Sequence, residues 1–307
     1  MKILSFNCRG FASKPKKLAL RRLLTSDRLD IIFLQETLSQ SDHLILTLNS
    51  WLPNWTFHAL DASGRSGGLA IGICNRTLDI RNLWGGKGFI GLDIFEHTLE
   101  RELRIINVYG PCMDRATFWR SLLERELLQA ENIIMGGDLN FSLGHCESWG
   151  HLAQVDSFSD TISSLLEEHH WVDIPSARLQ YTWTNNRSGD QSLARRLDRY
   201  LIKEQLYNDL PRCRQWVGSG GISDHRPIYL EIDGLTHKIK SPFKFNASWI
   251  QDPTFIHLVH DYWQNNPIRD DEEYSAGFVR KLSELKQITK NWAHQKRIQD
   301  NHTLSEA

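Results

Sequence analysis

Apolar residues along the chain fall into short runs, most of them closed by a polar residue. Residues 2–7 form such a run and end in Asn7, after which Arg9-Gly10 turns the chain. Residues 30–35 carry Ile31-Ile32-Phe33-Leu34 and pass into Gln35-Glu36. Runs of this length between turn signals predict buried strands. Residues 67–74, 78–84, 89–95 and 102–108 predict four more, joined by turns as an antiparallel series, the last passing into Tyr109-Gly110-Pro111. Helical spacing is found at 15–24, with Pro15 in the first turn, at 40–49, at 115–128 through Phe118, Leu122 and Leu127, and at 155–169. Residues 180–184 are rich in strand formers, 185–191 are polar and contain Gly189, and 196–202 predict a strand carrying Asp198. A short strand at 215–217 and a last one at 228–232 flank Ser223-Asp224-His225.

At the centre stands Ile133-Ile134-Met135-Gly136-Gly137-Asp138-Leu139-Asn140. The apolar start predicts a buried strand, and the glycines a tight turn that leaves room for the backbone of a ligand. If the segment stays extended, Asp138 and Asn140 point the same way. A carboxylate and an amide presented together suit water activation and phosphate contact, although Gly, Asp and Asn are also ordinary turn residues.

The character changes after Gly234. Residues 238–242 predict an exit linker, and 253–266 and 275–299 two helices separated by an acidic stretch at 269–273. The expected organisation is a catalytic body at 1–234 and a linker with a helical extension at 235–307.

With 307 residues, 40% hydrophobic and 24% charged, the composition is that of a globular protein. No apolar run approaches a membrane span, and the N-terminus lacks the apolar core of a signal peptide. The five cysteines, at 8, 74, 112, 146 and 213, are dispersed without a CxxC pair. That argues for reduced thiols inside a cell and against a disulfide framework or a zinc site. A net charge of −1 excludes a globally basic protein, so nucleic-acid contact would have to be local. Arg9, Lys14, Lys16, Lys17, Arg21 and Arg22 form one basic cluster, and Arg195, Arg196, Arg199 and Lys203 another. Each is a candidate contact surface or simply a solvated face.

The polar strand ends make a set: Asn7, Glu36, Tyr109, Asp138 with Asn140, Asp198, and Asp224-His225. Carboxylate and amide oxygens without a Cys/His set suit a hard cation such as Mg²⁺. An Asp–His pair suits proton handling. Together they fit metal-assisted phosphodiester hydrolysis.

The ordered motifs Ser5-Phe6-Asn7, Leu34-Gln35-Glu36-Thr37, Asn107-Val108-Tyr109-Gly110, Gly136-Gly137-Asp138-Leu139-Asn140, Arg196-Leu197-Asp198 and Ser223-Asp224-His225 resemble the endonuclease/exonuclease/phosphatase superfamily. The resemblance covers residues 1–233 and implies a four-layer α/β (αββα) sandwich, two mixed β-sheets packed face to face with helices outside. Within the superfamily the chain is most similar to the apurinic-like endonuclease domain of LINE-type (non-LTR) retrotransposons. Asn7-Cys8-Arg9-Gly10, Ser66-Gly67-Gly68-Leu69-Ala70, Leu197-Asp198-Arg199-Tyr200 and Ser223-Asp224-His225-Arg226-Pro227-Ile228 carry that likeness. Residues 242–249, continuing to Trp263, look like the connector to a reverse transcriptase.

The resemblance implies that Glu36 is the main metal ligand, with Asn7 and Asp224 on the metal or its waters, and Mg²⁺ or Mn²⁺ as cofactor. Asp138 would orient or deprotonate the attacking water, and Asn140 would fix that water or the phosphate. His225, oriented by Asp198, would stabilise charge on the phosphate, and Tyr109 would contact the phosphate or leaving oxygen. Thr182, Ser223, Arg9 and Arg195 are the substrate-binding candidates. The implied partners are double-stranded DNA and a reverse transcriptase domain, with no membrane, in an intracellular and nuclear setting. An abasic-site repair enzyme is the nearest rival. Such enzymes carry an aromatic three residues before the Asp at position 198, where this chain has Arg195, although Trp183 could partly substitute. Two more distant rivals are a small-molecule phosphodiesterase or phosphatase and an inactive nucleic-acid-binding copy.

Overall fold

The computed structural model describes residues 1–10, 13–63, 66–210, 212–233, 247–268 and 273–305. The chain divides into two compact units, Met1–Ile239 and Lys240–Ala307.

The first unit runs β1 (Lys2–Asn7), α1 (Lys14–Ser26), β2 (Ile31–Gln35), α2 (Ser41–Trp51), β3 (Trp55–Ser63), β4 (Ser66–Cys74), β5 (Leu78–Gly86), β6 (Phe89–Glu96), β7 (Arg101–Tyr109), α3 (Arg115–Leu123) and β8 (Ile133–Asp138). It continues through β9 (Ser148–Trp149), α4 (Ser159–Glu168), β10 (Trp171–Asp173), β11 (Trp183–Thr184), β12 (Ala194–Arg195), β13 (Asp198–Lys203), α5 (Glu204–Asp209), β14 (Cys213–Val217) and β15 (Ile228–Ile232). Two six-stranded sheets form, in the orders β14-β15-β1-β2-β4-β3 and β10-β13-β8-β7-β6-β5, with a small sheet β11-β12-β9. Both large sheets are mixed: β1 runs parallel to β2 and β7 to β8, while the other pairs are antiparallel.

The continuous apolar runs have a direct physical cause: these strands are covered on both faces, so both alternating sets of side chains must be apolar. Ile3, Ile31, Phe33, Ile105, Ile134, Tyr200 and Ile228 fill the space between the sheets. Leu4, Phe6, Ile32 and Leu34 face the opposite way and pack with Leu20 and Leu24 of α1 and Leu44 and Leu48 of α2. Ile133, Met135 and Leu201 do the same on the other sheet, with Trp119 and Leu122 of α3 and Ile162 and Leu165 of α4. Helix, sheet, sheet, helix is therefore the layer order, and the four-layer α/β sandwich expected from the sequence is the observed fold.

Several local expectations are corrected. The helix expected at 115–128 stops at Leu123. Arg125 is extended and a 3-10 turn covers Glu126–Leu128, which buries Leu128 completely and leaves Leu127 40% exposed. The helix expected from 155 begins at Ser159, because Asp156 is drawn inward to Arg115. β3 and β10 have no matching apolar run in the sequence; they form at sheet edges, where one row of backbone groups is unpaired and sequence constraint is weak.

In the second unit, the linker expected at 238–242 and the connector residues 242–246 lie outside the described residues, as do 269–272 of the acidic stretch. Two helices form as expected, α6 (Pro253–Asn265) and α7 (Tyr274–Ser305). Asp252 caps α6 by accepting from Thr254 N at 2.9 Å. The rings of Trp249, Phe255 and Trp292 meet in tilted and edge-to-face contacts, and the Tyr262 hydroxyl donates to Glu284 at 2.7 Å. No helix among the described residues is long and apolar enough to cross a membrane.

Candidate active site

The apolar parity that builds the core also aims the site. On β1, Ile3, Ser5 and Asn7 alternate toward the inter-sheet space; on β7 it is Ile105, Asn107 and Tyr109; on β8, Ile134, Gly136 and Asp138; on β13, Ile202, Tyr200 and Asp198. Register then levels them. Asp138 is paired with Tyr109 on one side and with Asp198 on the other. Asn7 lies opposite Gln35, the last residue of β2 before Glu36.

Just below this level the inter-sheet core turns polar. Gln35 Nε2 donates to Ser5 Oγ at 3.0 Å and to Asn107 Oδ1 at 2.6 Å, and Asn107 Nδ2 donates to the Leu34 and Ala70 carbonyls at 3.0 and 2.8 Å. All three residues are fully buried. This bridge ties the two sheets together directly beneath the site. It has no signature in the sequence, because nothing there shows that Gln35 and Asn107 face each other.

Above it, the Asn7 amide donates to Glu36 Oε1 at 2.9 Å and to Asp138 Oδ2 at 2.8 Å. The Tyr109 hydroxyl donates to the same Glu36 oxygen at 3.0 Å. His225 Nδ1 lies 2.9 Å from Asp198 Oδ2, and its Nε2 faces Asp138 Oδ2 at 3.6 Å. Burial drives the Asp138 carboxyl upward, opposed by the facing imidazole. Burial pulls the His225 imidazolium down, but the carboxylates of Asp198 and Asp138 outweigh it and the net shift is upward. Burial, with Glu36 and Asp138 beside it, pushes the Tyr109 phenol well above its usual range, so it stays a donor.

One donor atom each from Glu36, Asp138 and His225 lies within 4.8 Å of the other two. Two carboxylates thus converge on a single neutral amide, and Asp138 is 1% exposed. A hard cation would balance that charge, and the oxygen-rich donor set fits Mg²⁺ or Mn²⁺. Asn7 directs its NH₂ to the Glu36 and Asp138 carboxylates, and its Oδ1 accepts from Arg9 N at 3.1 Å. Asp224 is outside the convergent group: its carboxylate is held by Arg9, by Trp183 Nε1 at 3.1 Å and by the Ser223 hydroxyl at 3.2 Å.

Asn140 reaches the site by a different route from the extended one expected. Its φ is +55°, so the chain turns over after Asp138. Asn140 N donates to Asp138 Oδ1 at 3.2 Å and its Nδ2 to the Gly110 carbonyl at 2.7 Å. Arg115 donates to the Asn140 carbonyl at 3.1 Å and makes a two-pronged pair with Asp156 at 2.7 Å on each prong. Asp156 in turn accepts from Ser142 N and Phe158 N. This clamp, invisible in the sequence, holds the strained turn. Asp156→Asn is expected to destabilise the protein by about 3 kcal/mol, as when one partner of a buried pair is lost. It should lower kcat with little change in KM, which thermal melts and steady-state kinetics would read. An unchanged kcat at full stability would remove the clamp from the site.

The two glycines before Asp138 serve packing and not a ligand. A Cβ at Gly136 would lie 2.4 Å from the Tyr200 ring, and one at Gly137 1.9 Å from the Val108 carbonyl oxygen. They let β8 sit close to its neighbours, with Gly137 at a φ of +145°.

The substrate-binding candidates separate. Thr182 is fully buried, and its hydroxyl accepts from Leu197 N and Asp198 N at 2.9 Å each. It positions Asp198 and does not face outward. Arg9 and Ser223 line an open groove of about 830 Å³ with Lys16, Tyr181, Asn185 and Arg226. Arg195 lies on β12, paired with Trp183, and joins neither the cluster nor the groove lining. Trp183 has a larger part than its sequence position suggests: it bridges His225 through the backbone and holds Asp224 through its indole. The second basic cluster is no contact surface at its centre. Arg196 and Arg199, 4% and 0% exposed, are locked to Glu147 and Asp173 at 2.6–3.0 Å.

A buried carboxylate–imidazole pair beside two convergent carboxylates, set at the ends of the strands of a four-layer sandwich, defines a hydrolase of phosphate esters. The chain belongs to the Endonuclease/Exonuclease/phosphatase family, whose match spans residues 4–225. An exodeoxyribonuclease of Bacillus subtilis (strain 168) is 25% identical over 264 residues, covering 76% of this chain and 100% of that protein. Among solved structures, the endonuclease domain of TRAS1, a telomere-specific non-LTR retrotransposon, superposes with a TM-score of 0.54 at 16% identity, over 75% of this chain and 97% of that one. An AP endonuclease from Archaeoglobus fulgidus gives 0.60 at 18% identity, over 76% and 99%.

Proposed function

We propose that this protein is a divalent-metal-dependent endonuclease that nicks duplex DNA, of the kind carried by LINE-type retrotransposons, and that it leaves a 3′-hydroxyl and a 5′-phosphate. The observation that carries the reading is the single level at which Glu36, Asp138 and the His225–Asp198 pair converge. Glu36 would hold Mg²⁺ or Mn²⁺ with Asp138 beside it, and the ion would supply charge neutralisation at the phosphate. Asp138, buried and raised toward proton uptake, takes the proton of the attacking water. Asn140 orients that water or the phosphate. His225, kept cationic by Asp198, stabilises the oxyanions of the transition state. Tyr109 donates to the phosphate or the leaving oxygen. Arg9 and Ser223 of the groove contact the DNA strand, and Asp224, by holding Arg9, sets where that cation stands. The body at 1–234 then performs the cleavage, the extension at 235–307 leads toward a reverse transcriptase, and the setting is nuclear.

In-line attack beside Asp138 expels the 3′ oxygen, and a retrotransposon needs that 3′-hydroxyl as a primer. The chain has a net charge of −1, so loose preference should follow groove shape and deformability more than base contacts. The test nicks supercoiled plasmid with Mg²⁺ and offers the product to a DNA polymerase with labelled nucleotides. Direct extension is expected. Nicks that extend only after a phosphatase trims the 3′ end would overturn the reading, and cleavage confined to abasic-site plasmid would move it to repair.

A further inference from the structure

Tyr109 belongs to two places at once. Its hydroxyl donates to Glu36, while its side chain lines a second cavity of about 610 Å³. Leu60, Leu69, Pro111 and Phe118 line the same cavity, which is thus walled by an aromatic pair and aliphatic side chains. Backbone at Gly67, Gly68, Gly86 and Gly88 forms another part of the wall, and Asp61, whose carboxylate accepts from Ser41 N at 2.7 Å, stands at its edge. Gly88 has φ +81°, and a Cβ there would sit 3.0 Å from the Phe118 ring; a Cβ at Gly67 would meet nothing within 4 Å. Lys87 contributes to the lining of the cavity, is exposed, and pairs with no acid among the described residues. Cys112, also on its wall, lies 3.7 Å from Asn140 Oδ1, so the wall of the cavity adjoins the candidate active site at Cys112 and Tyr109.

We propose that this cavity receives one unstacked nucleobase of the DNA, from a nucleotide flanking the scissile phosphate. Three features select that occupant. The walls offer aromatic and aliphatic faces to a flat ring. The free lysine suits the phosphate next to that ring. Its wall is shared, through Tyr109 and Cys112, with the groups that would hold the scissile phosphate itself. Nothing in the hydrolytic chemistry uses this space, so its role is grip and choice of nick position. The inference rests on the DNA-nicking reading above.

The test maps the preferred nick in a duplex oligonucleotide, then replaces each flanking nucleotide in turn with tetrahydrofuran, which lacks a base. Removal of one base is expected to raise KM about tenfold, the worth of one stacking contact. Leu60→Trp, which fills the cavity, should raise KM by a similar factor and add nothing once that base is gone. 2-Aminopurine at the same position should brighten on binding to the wild type and not to Leu60→Trp. Lys87→Glu, on the surface, is a second variant that should raise KM with kcat unchanged, and it serves if Leu60→Trp melts early. If wild type nicks DNA but every tetrahydrofuran substrate keeps its KM or is cut better, the cavity proposal falls alone. If no duplex is nicked, the nuclease reading falls with it.

Discussion

Replacing Glu36 with alanine is expected to lower DNA nicking by about 10³-fold or more, roughly 4 kcal/mol of transition-state stabilisation, while the protein stays folded. Glu36 is half-buried at the strand end, and among the described residues its side-chain oxygens accept from the Asn7 amide and the Tyr109 hydroxyl alone. Its replacement removes those two side-chain hydrogen bonds, so little structure goes with it. Its φ of +46° is also unusual for a residue with a side chain, and strain of that kind gathers at functional positions. Glu36→Gln, which keeps the shape and removes the charge, should be nearly as damaging. Circular dichroism and thermal melts check the fold, and a plasmid nicking assay across a Mg²⁺ titration reads activity. A folded Glu36→Ala protein with undiminished cleavage would take Glu36 out of the site.

The second large effect belongs to the Asp198–His225 pair. His225→Ala and Asp198→Asn are each expected to reduce kcat by about 10²–10⁴-fold, and the double variant by little more than the worse single one. The geometry is the reason. Asp198 is fully buried, its backbone fixed by the Thr182 hydroxyl, and one of its oxygens meets His225 Nδ1 at 2.9 Å. An imidazole without that partner loses both its orientation and the charge that keeps it cationic, so the two residues act as a unit and their losses do not add. Thr182→Val, which deletes the hydroxyl with little change in shape, should produce a smaller loss in the same direction. Multiplying single-variant losses in the double mutant would show that the two side chains work independently.

The buried strands and the candidates for the site are legible in the amino-acid sequence. Runs such as Ile31–Leu34 and Ile133–Met135 are apolar at every position, as strands covered on both faces must be; they are compatible with the sandwich, which the family resemblance of the ordered motifs implied. Asn7, Glu36, Tyr109, Asp138, Asn140, Asp198 and His225 stand out because each is a polar residue at or beside an end of a strand, where a buried side chain without a chemical purpose is disfavoured. The order of the motifs, and not any single one, carries the family.

What each residue does within the site is decided by contacts between residues distant in the chain. Asn7 and Asp138 are 131 positions apart, and only folding brings the Asn7 amide to the carboxylate. Thr182 looks like a substrate group from its place in the chain; burial beneath Asp198 makes it a support. Asp224 stands next to His225 in sequence, yet the chain bends there and its carboxylate goes to Arg9 and Trp183. Gly136 and Gly137 look like a ligand turn from local rules alone, but the Tyr200 ring and the Val108 carbonyl claim the space. The Arg115–Asp156 clamp and the Arg196–Arg199–Glu147–Asp173 network leave no local trace, since an ion pair needs no fixed spacing along the chain. Periodicity is a property of neighbours in sequence and survives in one dimension, whereas the direction of a polar group depends on partners that only folding brings near.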